Sequence, residues 1–269
     1  MKILLSINGL VRNFKESFKF IENNIIKNNI DCSFDIILNT SNYDNQLSKK
    51  KKSNIYNYNS NKELEDYIYA ILNKYNVIKI LYYDILDVSI PGIFFDRIID
   101  TYKNADINNY DYIFFIRFDI LIKNKINFNS FEKDTLYFFD GGTSGWYQHD
   151  VDFDYALLGN SKILNKFLFY NLKYNYNFYS NNIVELIKEN NNILDILNIY
   201  MILPFNSRWK GYNQKCKEKT IEYINHHNNS SLIKNGNIEL VIFAFYCKKV
   251  YDENYEIKIF KDIKLGLLR

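Results

Sequence analysis

Apolar, strand-like runs alternate with amphipathic helical stretches through the first half of the chain, and this alternation predicts an α/β fold. The runs are apolar throughout rather than at every second residue, as strands covered on both faces should be. Polar residues and arginines gather where those runs end, the place where an open parallel sheet offers its loops to a ligand. Together these observations predict a Rossmann-like architecture: a mostly parallel central sheet with helices on both faces and a C-terminal α+β extension.

The elements follow in order. "KILLSI" (2–7) is a short first strand that runs into "NGLVRN". In "FKESFKFIENNIIKNN", Phe14, Phe18, Ile21, Ile25 and Ile26 fall at helical spacing, and Asn13 with Glu16 three residues later makes a capping-box start. A second strand fits "FDIILNT" (34–40). A helix fits "KELEDYIYAILNKY" (62–75), with Leu64, Ile68, Ile71 and Leu72 on one side. "VIKILYY" (77–83) reads as a third strand, "PGIFFDRIIDTYKNA" (91–105) as a third helix and "YDYIFFI" (110–116) as a fourth strand. The loop 41–61 carries Lys49 to Lys52, which could touch a phosphate polymer or a membrane surface but read first as a solvated connection with no catalytic role. Past Trp209, "IELVIFAFYCKKVY" and "YEIKIFKDIKLGLL" read as two strands, or as a strand and an amphipathic tail.

A chain of 269 residues with 47% hydrophobic content can bury one large core, and two prolines argue against long extended linkers. One domain with a loosely attached C-terminal part is expected. Lysine and arginine total 34 against 31 acidic residues, a net charge of +3 that is too small to make nucleic acid the default partner. Cys32, Cys216 and Cys247 are odd in number and far apart, which suggests neither a metal motif nor a disulfide framework and fits a reducing, cytoplasmic compartment. Asn8 and Arg12 interrupt the first apolar run, so no signal peptide is read. The longest apolar run, "LVIFAFYC" (240–247), is far short of the roughly 20 residues a bilayer span needs, and the chain reads as soluble. Its richness in Asn, Lys, Ile and Tyr is read as the imprint of an AT-rich coding sequence rather than as a functional tract.

The strand ends nominate a site. Ser6, Asn8, Gly9 and Arg12 follow the first strand, Asn39 and Thr40 the second, Tyr83 and Asp84 the third, and Arg117 with Asp119 the fourth. Arg97, in the third helix, is added to the ligand-binding candidates. Arg117 could pair with phosphate oxygens while Asp119 holds a divalent ion. Equally, Arg117 could pair with Asp119 or Asp111 and cap the sheet. "SINGLVRNF" has one glycine where a dinucleotide fingerprint needs three, yet Gly9 permits close approach to a ligand. No P-loop lysine, HExxH, GxSxG or kinase signature occurs, which removes several enzyme classes.

Residues 134–164 hold a second group. Gly141, Gly142 and Gly145 with Trp146, Tyr147 and His149 form an aromatic loop suited to stack on a sugar or move over a ligand, or else a plain hairpin connection. Asp150, Asp152 and Asp154 alternate, so that on an extended segment they share one face. Such carboxylates supply metal ligands or a general base; a solvated acidic turn is the other reading. His226 and His227, in "EYINHHNNSS", read as exposed caps, which leaves His149 as the better contact to a ligand.

"SINGLVRNF", "FDIILNTSN", "YDYIFFIRFD" and "DYALLGNS" occur in that order. This pattern resembles the GT-A type glycosyltransferases of capsular and lipooligosaccharide gene clusters and of large DNA viruses, whose elements read SGxxR-x-F, DxFxxTW, YDYxxRxRxD and D-x-x-x-x-G-S. The resemblance covers residues 1–205, leaving 206–269 as an extension packed on the same domain. It implies a nucleotide-sugar donor over the first and fourth strands, a glycan or glycolipid acceptor, a role in polysaccharide biosynthesis, and a bacterial cytoplasm or a host cytoplasm infected by a virus. Ser6, Asn8, Gly9, Arg12, Arg97 and Arg117 would bind the donor, and Trp146 and His149 the acceptor. Asp119 would hold Mn or Mg, with Arg117 standing where many relatives have the first aspartate of the metal motif. Asp154, with Asp152 second, would take the acceptor proton. "NNIVELIKENNNIL" (181–194), with Glu185, matches the helix that follows in the family. A non-catalytic nucleotide- or glycan-binding module with a degenerate form of this fold is the alternative.

Overall fold

The computed structural model describes residues 1–11, 13–41, 60–83, 93–139, 156–174, 185, 236–260 and 265–267. Its centre is a seven-stranded sheet. The first half runs β1 (Lys2–Asn8), α1 (Phe14–Ile21, prolonged by a π-helical turn over Glu22–Ile26), β2 (Ser33–Ser41), α2 (Asn61–Leu72), β3 (Asn76–Tyr83), α3 (Ile93–Asn104) and β4 (Tyr112–Arg117). Then come β5 (Ile120–Ile122), β6 (Thr135–Phe139), β7 (Ala156–Gly159), α4 (Ser161–Phe167), α5 (Phe169–Tyr174), α6 (Gly236–Asp252), β8 (Glu256–Phe260) and β9 (Leu265–Leu267). The sheet order is β3-β2-β1-β4-β7-β6-β8, while β5 and β9 pair separately. β1 is parallel to both β2 and β4, and β2 to β3. β7 is antiparallel to β4 and to β6, and β6 is parallel to β8, so β7 alone in this sheet runs against the rest.

This is the expected α/β, Rossmann-like arrangement, and its two faces differ. Ile3, Leu5 and Ile7 of β1, Ile36 and Leu38 of β2, and Phe114 and Ile116 of β4 join Phe14, Phe18, Leu64 and Ile68 of α1 and α2 in one core. Because side chains alternate across a strand, Leu4, Ser6 and Asn8 of β1 and Ile37, Asn39 and Ser41 of β2 point the other way, toward α3. On that face both strands end in buried polar residues, Ser6 and Asn8 in β1 and Asn39 and Ser41 in β2.

Three sequence expectations need correction. The run "LVIFAFYC" lies inside the 17-residue helix α6, not in a strand. Ala244, Phe245, Tyr246 and Cys247 are all buried, with Phe245 stacked on Tyr170 and Tyr246 tilted against Phe167. A helix covered by α4 and α5 on several sides needs no polar face, and so carries no periodicity to read. Asn13 does not form the capping box: its φ is 47° and its side chain makes no cap bond, leaving its carbonyl to accept from the Glu16 and Ser17 amides. The side-chain caps are instead Ser60 on α2 and Asn160 on α4, which accept from the Glu63 and Ile163 amides. The C-terminal part is also less loosely attached than expected, because β8 is the edge strand of the main sheet.

A candidate ligand site at the carboxyl ends of the strands

The strand order reverses between β1 and β4: β2 and β3 extend to one side of β1, and β4 lies on the other. A crevice opens at such a point because the connections leave in opposite directions. Asn8 is the register partner of both Asn39 and Arg117, so the last residues of β1, β2 and β4 stand side by side here. The chain then turns at Gly9, whose φ of 116° suits glycine. Its amide donates to the Asn39 carbonyl (3.0 Å), and the Phe118 amide donates to the Asn8 carbonyl (3.0 Å).

Helix α3 meets this rim with polar side chains spaced three and four residues apart. Thr101 Oγ1 shares a 3.0 Å hydrogen bond with Ser6 Oγ. Arg97, 5% exposed, donates from NH2 to Ser41 Oγ (3.2 Å), and its own carbonyl accepts from Asn39 Nδ2 (3.2 Å). A Cβ on Gly9 would stand 3.3 Å from Arg97 NH1, so the guanidinium lies directly against the turn. Asp100 completes the group. Burial pushes its carboxyl above the ordinary aspartate range and outweighs the Asn39 hydrogen bond and the Lys103 and Arg97 cations, which pull it down. Oδ1 of Asn39 is a buried acceptor with no donor among the described residues. An unmet buried acceptor costs about 1–3 kcal/mol. A helix packed for stability alone would meet the strands with apolar groups; this one holds a buried cation against the rim.

Arg117 and Asp119 form a pair. Nε of Arg117 donates to Asp119 Oδ1 (2.9 Å) and NH2 to Oδ2 (3.2 Å), a fork that engages both carboxylate oxygens. The Asp119 side chain is 5% exposed and that of Arg117 26%, so the carboxylate lies beneath and the guanidinium faces outward. Asp111, the other partner weighed for Arg117, sits at the far end of β4 and accepts from the Lys2 amide (2.8 Å). A divalent cation at a nucleotide site takes one or two protein carboxylates, with phosphate and water oxygens completing its shell. Asp119 presents both of its oxygens to a guanidinium, and the described residues contain no cluster of three metal-ligating side chains. Among the described residues the expected metal ligand, Asp119, has its charge already matched by Arg117.

The structure brings Ser6, Asn8, Gly9, Arg97, Arg117 and Asp119 to one rim. Ser6 and Asn8 are fully buried within it, Asn8 Nδ2 donating to the Ser6 carbonyl (2.9 Å) and to Ser6 Oγ (3.1 Å). They shape the turn from below. Arg12, Asp84, Gly141, Gly142, Gly145, Trp146, Tyr147, His149, Asp150, Asp152, Asp154, His226, His227 and Lys49 to Lys52 lie outside the described residues, as does the helix expected over 181–194 apart from Glu185. Sequence reasoning missed Ser41, Asp100 and Thr101. Their signal was a pair of polar residues two apart at the end of β2, Asn39 and Ser41, and polar residues at i, i+3 and i+4 of α3, in segments otherwise apolar enough to be buried. No protein-family model and no curated protein matches the chain. Among the described residues no helix is long and apolar enough to cross a membrane.

Proposed function

We propose that the protein is a GT-A type glycosyltransferase, which moves a sugar from a nucleoside diphosphate to a glycan or glycolipid acceptor. One observation carries this reading: the point where the strand order reverses is rimmed by a glycine turn and by two arginines, Arg97 and Arg117. Gly9 lets a ligand approach the backbone, and guanidinium groups match the geometry of phosphate oxygens. The sequence pattern over residues 1–205 supplies the sugar-transfer part.

In direct displacement the acceptor hydroxyl oxygen attacks the anomeric carbon as that carbon's bond to the diphosphate oxygen breaks. The hydroxyl proton passes to a carboxylate, assigned from sequence to Asp154 with Asp152 second. The diphosphate leaves as a polyanion, and a preorganised cation at the rim favours its departure. Trp146 and His149 are assigned to the acceptor on the same pattern. A screen of nucleotide sugars for slow release of nucleoside diphosphate to water is the test, since an intact donor site transfers to water at a low rate. Release from no sugar nucleotide sinks the transferase reading.

A binding module that retains the fold without the chemistry is the second reading, favoured by the engagement of Asp119 with Arg117. Binding of a nucleoside diphosphate without hydrolysis of any of its sugars would select it.

A further inference from the structure

We infer that the diphosphate of the donor is neutralised by Arg97 and Arg117 rather than by a divalent cation, so that binding at this rim is independent of metal. The inference rests on the reading of the crevice as a nucleotide site and goes beyond it in naming the cation. Where a metal motif would need a free carboxylate, Asp119 is held by both oxygens in the Arg117 fork. A metal there would compete for a carboxylate whose charge a guanidinium, hydrogen-bonded at 2.9 and 3.2 Å, already matches. With its Nε and NH2 edge fixed by a nearly buried carboxylate, the planar guanidinium has its orientation set before any ligand arrives. Asp119 is thereby a positioning residue for Arg117.

The second cation comes from the other side of the turn. Arg97 reaches from α3 to Gly9 and is held by Ser41, while Arg117 stands in register with Asn8. The two guanidinium groups therefore bracket the Asn8–Gly9 corner, one from the helix and one from β4. Two fixed cations at a corner free of any side chain on Gly9 suit a linear dianion such as a diphosphate.

The test titrates the full chain by calorimetry with ADP, CDP, GDP, UDP and dTDP, once in EDTA and once with Mn. The expected result is binding of at least one nucleotide with a Kd that differs by less than about threefold between the two conditions. Binding that disappears in EDTA and returns with Mn overturns the inference while leaving the nucleotide site standing. Binding of none of the five in either condition removes the nucleotide site itself, and the inference with it. The double variant Arg117→Gln with Asp119→Asn removes the pair without leaving a buried charge unmatched. It should keep the wild-type melting temperature and lose about tenfold or more in affinity in EDTA. Unchanged affinity in that variant assigns the diphosphate elsewhere and overturns the inference. Arg97→Lys, which keeps the charge but not the fork, should give an intermediate loss of affinity; wild-type affinity there removes Arg97 from the site.

Discussion

Strand β2 ends in two different kinds of polar environment. At its start Asp35 accepts from Tyr110 (2.9 Å) and Asn76 (2.6 Å) and pairs with Lys2 (3.1 Å). Burial alone would raise this carboxyl, but the hydrogen bonds from Asn76, Lys2 and Tyr110 more than offset it and leave the proton affinity below the ordinary aspartate range. At the other end Asn39 bonds to Asp100, whose carboxyl burial drives in the opposite direction. A carboxylate whose ionised form the fold favours stabilises the native state at neutral pH; one whose ionised form it disfavours costs stability there. The amino end is arranged to hold the sheet together. At the carboxyl end burial works against the ionised form of Asp100 beside Arg97, a perturbation of the kind that also occurs at ligand sites.

The largest effect should come from the carboxyl end. Arg117→Ala leaves Asp119 nearly buried with no counter-charge and should cost about 3 kcal/mol in denaturant unfolding, whereas the paired Arg117→Gln with Asp119→Asn change should cost far less. Equal losses in the two variants would mean that Arg117 acts through packing rather than through charge.

Next, Asp35→Asn at the amino end should cost about 1.5 kcal/mol at neutral pH, the low end for hydrogen bonds to a charged group because Lys2 is half exposed. The pH dependence has a definite sign. Since the folded state lowers this carboxyl, its contribution is complete above the unfolded aspartate value of about 3.9 and is lost as pH falls through the lower, folded value. Melting temperatures of wild type and Asp35→Asn should therefore converge in acid below about pH 4.

Tyr110→Phe removes one donor to the same carboxylate and should cost about 1 kcal/mol, read as a shift in denaturation midpoint with an unchanged slope. The smallest change should be Asp100→Asn. Its carboxyl is raised, so the cost of ionising it is present at neutral pH and is relieved as pH falls through the folded value. The variant should melt at or slightly above the wild-type temperature at neutral pH, and the two curves should meet in acid. A clear loss of stability at neutral pH would make Asp100 a structural partner of Arg97, and the contrast between the two ends would fail.

Much of the fold was legible because its local signals agree. In β1, β2 and β4 an unbroken apolar run can only be a doubly covered strand when amphipathic helices flank it, and Leu64, Ile68 and Leu72 mark the buried side of α2 as spaced. The Arg117–Asp119 pair was visible as two charges interrupting such a run, but sequence left open whether they face each other or a ligand. α6 was not legible, since "LVIFAFYC" is apolar on every side whether wound as a helix or extended as a strand.

By itself the sequence determined the alternation of strands and helices, the parallel core, and the placing of polar residues at the carboxyl ends of β1, β2 and β4. These depend on neighbours within one element, and the periods of 2 and 3.6 write them into the order of residues. The tertiary structure alone decided that α6 is a helix, that Arg97 lies against Gly9, that Thr101 meets Ser6, and that the Arg117 fork closes on Asp119. Each of these joins residues that the chain separates or leaves free to turn. Which partner a buried polar group finds is decided by the packing of whole elements, because only there does the cost of leaving it unmatched arise.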